Sequence, residues 1–250
     1  MIARAFASPH HRGYDMASNS TKARGKRLGT RLRGNLSAAY GQRGTAVNSL
    51  WYVYSPRSES DWILRSDLEW DHFVLAESDP DIASCSYTPQ QHRLACEGEQ
   101  VSVAVDATIT HLDGGVEWRR VKFAGAESDE NTPAATEFGR CVAAANGAGV
   151  KYTLWVEDVI RRNLVLLANW RRAIAWLAAA REHSLAPYQL ELGRNLRAEG
   201  TLTLGQIESL YGEASFALYA AAVFRELQRG TYVSNLHETQ LSRATSISLP

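Results

Sequence analysis

The chain has 250 residues, 45% of them hydrophobic, and a formal net charge of zero, which is enough for a real core in one large domain or two small ones. The zero is a cancellation: residues 1–50 carry nine basic side chains and one acid, residues 51–157 eight basic and eighteen acidic, and residues 158–250 ten basic and eight acidic. That asymmetry argues against a simple one-domain metabolic enzyme, and no apolar run is long enough to span a membrane because Arg171–Arg172 interrupts the best candidate.

Residues 1–48 lack apolar periodicity and are rich in Arg, Gly, Ser and Asn, which reads as a basic, flexible arm. Its start has no continuous apolar stretch of a secretory signal, although an Arg- and Ser-rich leader also resembles a transit peptide, and Met16 is an alternative start to Met1. Lys22, Arg24, Lys26, Arg27, Arg31 and Arg33 suit a DNA phosphate backbone; a solvated leader is the competing reading.

From Trp51 the pattern becomes that of a folded domain. Ser60 or Ser66 caps a helix running to about Glu77, with Ile63, Leu64, Leu68, Phe73 and Leu75 on its apolar face. A short strand over Ile82–Tyr87 ends before Pro89. Residues Glu99–His111 alternate as one strand, with Val101, Val103, Val105, Ala107 and Ile109 on one face. The turn Asp113–Gly114–Gly115 leads into a strand over Val116–Phe123, then come a helix over Pro133–Ala148 and a strand over Lys151–Val156. Residues 49–157 thus form an α/β domain. Residues 158–250 read as helical, with Ile160, Leu164, Leu167, Ile174 and Leu177 at helical spacing, further helices over 185–199, 203–211 and 213–229, and a two-stranded wing over 231–248.

The hairpin VSVAVDATITHLDGGVEWRRVKF carries the candidate chemistry. A three-residue loop at Asp113–Gly115 sets Leu112 against Val116 and Asp106 opposite Lys122, with Arg120 on the same face and Val105 and Phe123 on the apolar one. A register slipped by one residue would separate Asp106 from Lys122. An ordinary surface salt bridge is the competing explanation. Two features favour a site: lysine is scarce, four against 23 arginines, and Glu69 can approach from the preceding helix. Two carboxylates and a lysine can gather Mg²⁺ or Mn²⁺ and a phosphate.

The run S-D-L-E-x-D-x-x-x-L-x-E-x-D-P-D from Ser66 to Asp81, V-D-A-T-I around Asp106, R-V-K at Arg120–Lys122 and R-R-N-L-V-L-L-A-N over Arg161–Asn169 resemble the TnsA family, the endonuclease subunits of heteromeric cut-and-paste transposases. The resemblance implies a restriction-endonuclease-like PD-(D/E)xK core followed by a mostly helical, winged-helix-like C-terminal domain. It implies a bacterial, cytoplasmic, nucleoid-associated protein that cleaves the 5′ ends of the element beside a DDE-type transposase under an AAA+ ATPase regulator. Glu69 and Asp106 match the family's metal-binding acids and Lys122 its signature lysine, while the Val121 carbonyl would add a metal ligand. The chain departs at Arg120, where the family usually has Glu or Gln. Three readings follow: Arg120 clamps the scissile phosphate in place of part of a second metal's charge, Glu117 compensates from the opposite strand parity, or the site is impaired and the domain serves as a scaffold.

No nucleophile elbow, P-loop or dinucleotide fingerprint is present. Cys85, His92 and Cys96 lack the paired spacing of a zinc site, and three irregular cysteines point to a reducing cytoplasm. His72 reads as a helix-surface residue and Trp155, Trp170 and Trp176 as core. Arg161–Arg162 and Arg171–Arg172 read equally well as a basic stripe or a solvated helix face.

Overall fold

A computed structural model describes residues 49–123 and 133–250, so the six basic residues assigned to DNA contact in the arm lie outside the described residues. The fold is mixed α/β. A hairpin of β1 (Trp51–Ser55) and β2 (Ser60–Leu64) opens it, and α1 (Asp67–Ser78) follows. Ser66 is the cap: its hydroxyl accepts from the Glu69 N–H at 3.1 Å, and Asp67 and Glu69 lie in the first turn, where the helix dipole favours acids. Ser60 instead starts β2, because Ser60–Leu64 pairs antiparallel with β1 and tertiary pairing overrides the helical spacing of Ile63 and Leu64.

The central sheet has the order β3 (Ile82–Ser86), β6 (Ala107–His111), β7 (Val116–Lys122), β8 (Lys151–Val156). Its first two pairings are antiparallel and β7–β8 is parallel, joined through α2 (Pro133–Gly147). Two further strands, β4 (Gln90–Cys96) and β5 (Glu99–Val105), form a separate hairpin against α2. The expected continuous strand Glu99–His111 is therefore two strands in two sheets, broken at Asp106. The break divides the alternating residues: Val101, Val103 and Val105 pack with Cys141, Ala144 and Tyr152, while Ala107 and Ile109 join the larger core on the α1 side. β4 had no counterpart in the sequence reading because QQHRLAC is mostly polar, and it forms by pairing with β5 in full register from Gln90↔Val105 to Cys96↔Glu99.

The chain then passes through α3 (Glu157–Ile160) and α4 (Leu164–Ala179), separated where Asn163 caps α4 by accepting from the Leu166 N–H at 2.9 Å. After it come α5 (Ala186–Glu199), β9 (Thr201–Thr203), α6 (Leu204–Tyr211), α7 (Glu213–Gln228), β10 (Val233–Ser234) and β11 (Ser246–Ser248). Residues 231–248, expected to pair as two strands, instead join β9 in a three-stranded sheet, since β11 pairs with both β10 and β9. Leu164, expected on the apolar face, is 65% exposed because it sits in the first turn.

The larger core runs from Val53 through Phe73 and Ile109 to Leu167, Phe224 and Ile247. Arginines fasten its two halves. Asp71, on α1 and 1% exposed, accepts from Arg161 Nε at 2.7 Å and from Arg171 Nη2, and Arg172 donates to the Leu241 carbonyl at 2.9 Å. Arg161, Arg171 and Arg172 thus make specific bonds within the fold, while Arg162, Arg171 and Arg172 are also exposed, as on a solvated face. Trp170 is core, as expected, while Trp155 and Trp176 are half-buried.

Candidate active site

Asp106 owes its position to the break between β5 and β6. Beyond the last paired residues the Asp106 N–H donates to the Arg119 carbonyl at 2.9 Å, and its carboxylate reaches across to β7. Oδ1 accepts from Arg120 Nη1 at 2.7 Å, and Oδ2 from the Val121 N–H at 2.8 Å. The register differs from the expected one by two residues, running from Ala107↔Arg119 to Thr110↔Val116, because the His111 N–H donates to the Gly115 carbonyl at 2.9 Å and closes the loop over Leu112–Gly114 rather than Asp113–Gly115. Gly114 supplies the positive φ that this turn needs. A shift of two preserves side-chain parity, so Asp106, Arg120 and Lys122 still share a face, but Asp106 meets Arg120 rather than Lys122. Phe123 is half-exposed instead of packing with Val105, which pairs with Gln90.

Glu69 comes from the first turn of α1. Its Oε2 accepts from the Arg65 N–H at 2.8 Å, and its charge is felt together with those of Asp106 and Arg120. Burial pushes the Glu69 carboxyl above the ordinary range; the Arg65 N–H opposes this and the Asp106 charge adds to it. Burial also raises Asp106, against the Val121 N–H and the charges of Arg120 and Lys122. The charges of Asp106 and Arg120 thus act on Glu69, and those of Arg120 and Lys122 act on Asp106.

The donor set fits one hard cation. Mg²⁺ typically takes one or two carboxylates and keeps several waters. Glu69 and Asp106 are two such carboxylates, and the lone pairs of Asp106 outnumber the two bonds it accepts. Val121 would contribute its carbonyl. A closed protein cage is not formed: among the described residues no three His, Cys, Asp or Glu side chains gather as metal ligands. Cys85 lies in the larger core, whereas Cys96 packs at the smaller one and His92 stacks on Trp118, so the three make no zinc site.

Glu117 does not compensate for Arg120. It lies on the other face of β7 with Arg119, both 3% exposed, and accepts from Arg119 Nη2 at 2.8 Å and Thr153 Oγ1 at 2.6 Å. His72 belongs to this layer. It is 1% exposed rather than on the surface, packs edge-on against Trp155, and has Nε2 3.5 Å from Arg119 Nη1, while the Arg119 guanidinium lies 4.2 Å from the Trp155 ring centroid. The signal for this layer was the alternation Glu117–Arg119 in a strand with both faces covered, where each polar side chain must find a buried partner.

Burial, reinforced by Arg119, pulls the His72 pKa down to about 3, with Glu117 opposing. For Glu117, burial acts upward but is outweighed by the Arg119 and Thr153 hydrogen bonds, the Arg119 charge and His111, giving about 2. A depressed histidine is protonated first in the unfolded chain, so its contribution to stability is complete above pH 6.5 and is lost as pH falls towards about 3. Between pH 6.5 and 4.5 this amounts to about 2–3 kcal/mol. Raised acids such as Glu77 act in the opposite sense. The readout is therefore a difference: urea midpoints of His72→Phe should fall less steeply than wild type over this window, and parallel slopes would refute the assignment.

The chain matches no protein-family model, and no curated protein matches it significantly.

Proposed function

We propose that the chain is a metal-dependent DNA endonuclease, the TnsA-like subunit of a cut-and-paste transposition complex that cleaves the 5′ ends of the element. The observation that carries this reading is the Asp106 carboxylate held by Arg120 Nη1 at 2.7 Å and the Val121 N–H at 2.8 Å at the end of β7, where the charges of Glu69 and Lys122 also act on it or its neighbours. Supporting it, α1, the mixed sheet β3-β6-β7-β8 and the α2 connection follow the element order of a restriction-endonuclease-like core. The order α5, β9, α6, α7, β10, β11 is likewise that of a winged helix.

Glu69, Asp106 and the Val121 carbonyl would hold Mg²⁺ or Mn²⁺. A cation bound there supplies an acidified water and neutralises phosphate charge. Lys122 then orients the water or stabilises the pentavalent phosphate, and Arg120 clamps the scissile phosphate when released from Asp106. Residues Tyr219–Phe224 of α7 are buried while Glu213, Ala214 and Ala217 are exposed, so only the N-terminal half of this helix could face DNA. On this reading the C-terminal domain carries the contact with the AAA+ regulator, and the protein works beside the DDE-type transposase.

One observation favours a second reading, a non-cleaving scaffold: the guanidinium of Arg120 already occupies Asp106 Oδ1 at 2.7 Å. Strand cleavage at transposon ends with Mg²⁺, assayed beside the transposase, separates the two. Wild-type cleavage supports the enzyme; no cleavage by wild type or by Arg120→Gln leaves the scaffold. Removing a charge-assisted bond worth about 1.5–3 kcal/mol should also let Arg120→Gln bind Mn²⁺ roughly tenfold or more tightly, measured by calorimetry. Unchanged Mn²⁺ affinity would mean that Arg120 does not compete with the cation.

A further inference from the structure

A cavity of about 290 Å³ lies between α2, β5, β7 and β8. Arg120 and Lys122 form one wall, and Phe138, Cys141, Tyr152 and Leu154 form an apolar floor. The rings of Phe138 and Tyr152 are 5.4 Å apart and tilted by 33°. The Tyr152 hydroxyl donates to the Ala104 carbonyl at 2.7 Å, so its polar end is satisfied and its ring serves as apolar surface. Two cations beside a largely aromatic floor suit a ligand that is anionic at one end and flat and apolar at the other, as a nucleoside phosphate is. The volume lies at the lower end of small-ligand pockets, about 300 Å³, which suits one such unit and no longer segment. Glu137 on the rim, paired with Arg140 at 3.4 Å, discourages a second phosphate on that side.

Arg120 joins this cavity to Asp106, because it lines the wall and its Nη1 bonds Asp106 Oδ1. We propose that the cavity receives a single unpaired nucleotide of the strand being cut, its phosphate on Arg120 and Lys122 and its base over Phe138 and Tyr152. The assignment rests on the endonuclease reading and adds a substrate feature to it. A base paired within a duplex cannot enter, so the site selects DNA that is frayed or opened next to the cut.

The test is equilibrium binding in EDTA, which keeps it independent of cleavage, using the full chain and two labelled duplexes that differ only in one mismatched, open position. Wild type is expected to bind the open duplex at least fivefold more tightly. Ala134→Trp, which fills the cavity from α2, should abolish that preference while keeping the affinity for the paired duplex. Should that variant lose its fold, Phe138→Ala removes part of the floor and should reduce the preference instead. Equal wild-type affinities would overturn the cavity assignment, and Mg²⁺-dependent cleavage would survive that result. Thermal stabilisation by a free deoxynucleoside monophosphate without any preference for the open duplex would also overturn it, assigning the cavity to a free nucleotide. No binding to either duplex together with no cleavage would sink the endonuclease reading as well.

Discussion

In the Asp106→Ala variant, the Mg²⁺-dependent nicking at transposon ends proposed for this chain is expected to fall by roughly a thousandfold or more, the scale on which a single electrostatic contributor to a transition state acts. Two losses combine. One of the two carboxylates available to a cation disappears, leaving Glu69, whose own carboxyl is already raised by burial. The Asp106 side chain also accepts from Arg120 and from the Val121 N–H, so its removal loosens the end of β7 that carries Lys122. DNA affinity should move the other way. Deleting an anion that neutralises Arg120 leaves the surface more positive by one charge, and duplex binding in EDTA should be unchanged or tighter, with a steeper dependence on salt. The opposing signs separate a reacting group from a scaffolding one, because a merely unfolded variant would lose both properties. Asp106→Asn keeps an acceptor for the Val121 N–H and should fold like wild type yet cleave as poorly as the alanine variant. Wild-type nicking by either variant would exclude Asp106 from the chemistry.

The parts of this arrangement that were legible in the sequence were those set by local rules. Ser66 was one of the two serines offered as the cap of α1 and is the one that caps it, and Gly200 and Gly212 follow the ends of α5 and α6. The face shared by Asp106, Arg120 and Lys122 was legible because strand parity survives any even shift of register. What was not legible depended on partners distant in the chain. The break at Asp106 leaves the alternation of residues 101–109 intact, and only the separate pairings of β5 with β4 and of β6 with β3 and β7 show that those residues serve two cores. The two-residue shift that gives Asp106 to Arg120 comes from a loop closed one residue earlier in the chain, at His111 and Gly115, and the Asp-Gly-Gly signal does not specify which residues close it. His72 was misplaced because its partners, Arg119 and Trp155, come from β7 and β8.

Glu77→Ala is expected to lower stability by about 3–5 kcal/mol, the range for removing one member of a buried charged network. Glu77 is fully buried near the end of α1 and joins three segments far apart in the chain. Its Oε1 accepts from Ser55 Oγ at 2.6 Å, and its Oε2 accepts from the Arg57 N–H at 3.1 Å and from Gln228 Nε2 at 2.7 Å. Around it, Arg57 donates to the Asp79 carbonyl at 2.6 Å and Arg225 to the Pro56 carbonyl at 2.7 Å, so the β1–β2 hairpin, α1 and α7 meet at this carboxylate. Truncation strands buried donors on two of these segments, and no solvent reaches the site to replace the acceptor. Glu77→Gln retains a carbonyl acceptor and should lose less, though its amide would face the Gln228 amide. Burial raises the Glu77 pKa against the pull of the Ser55 hydrogen bond and the Arg57 charge. A raised carboxyl contributes stability that is complete below its unfolded value and lost as pH rises through the folded one, so the stability gap between wild type and Glu77→Ala should widen on mild acidification. Urea unfolding of both proteins across that range measures the two effects together. A loss below about 1 kcal/mol would show that the network tolerates a missing member and that the hydrophobic core alone fastens the hairpin and α7 to α1.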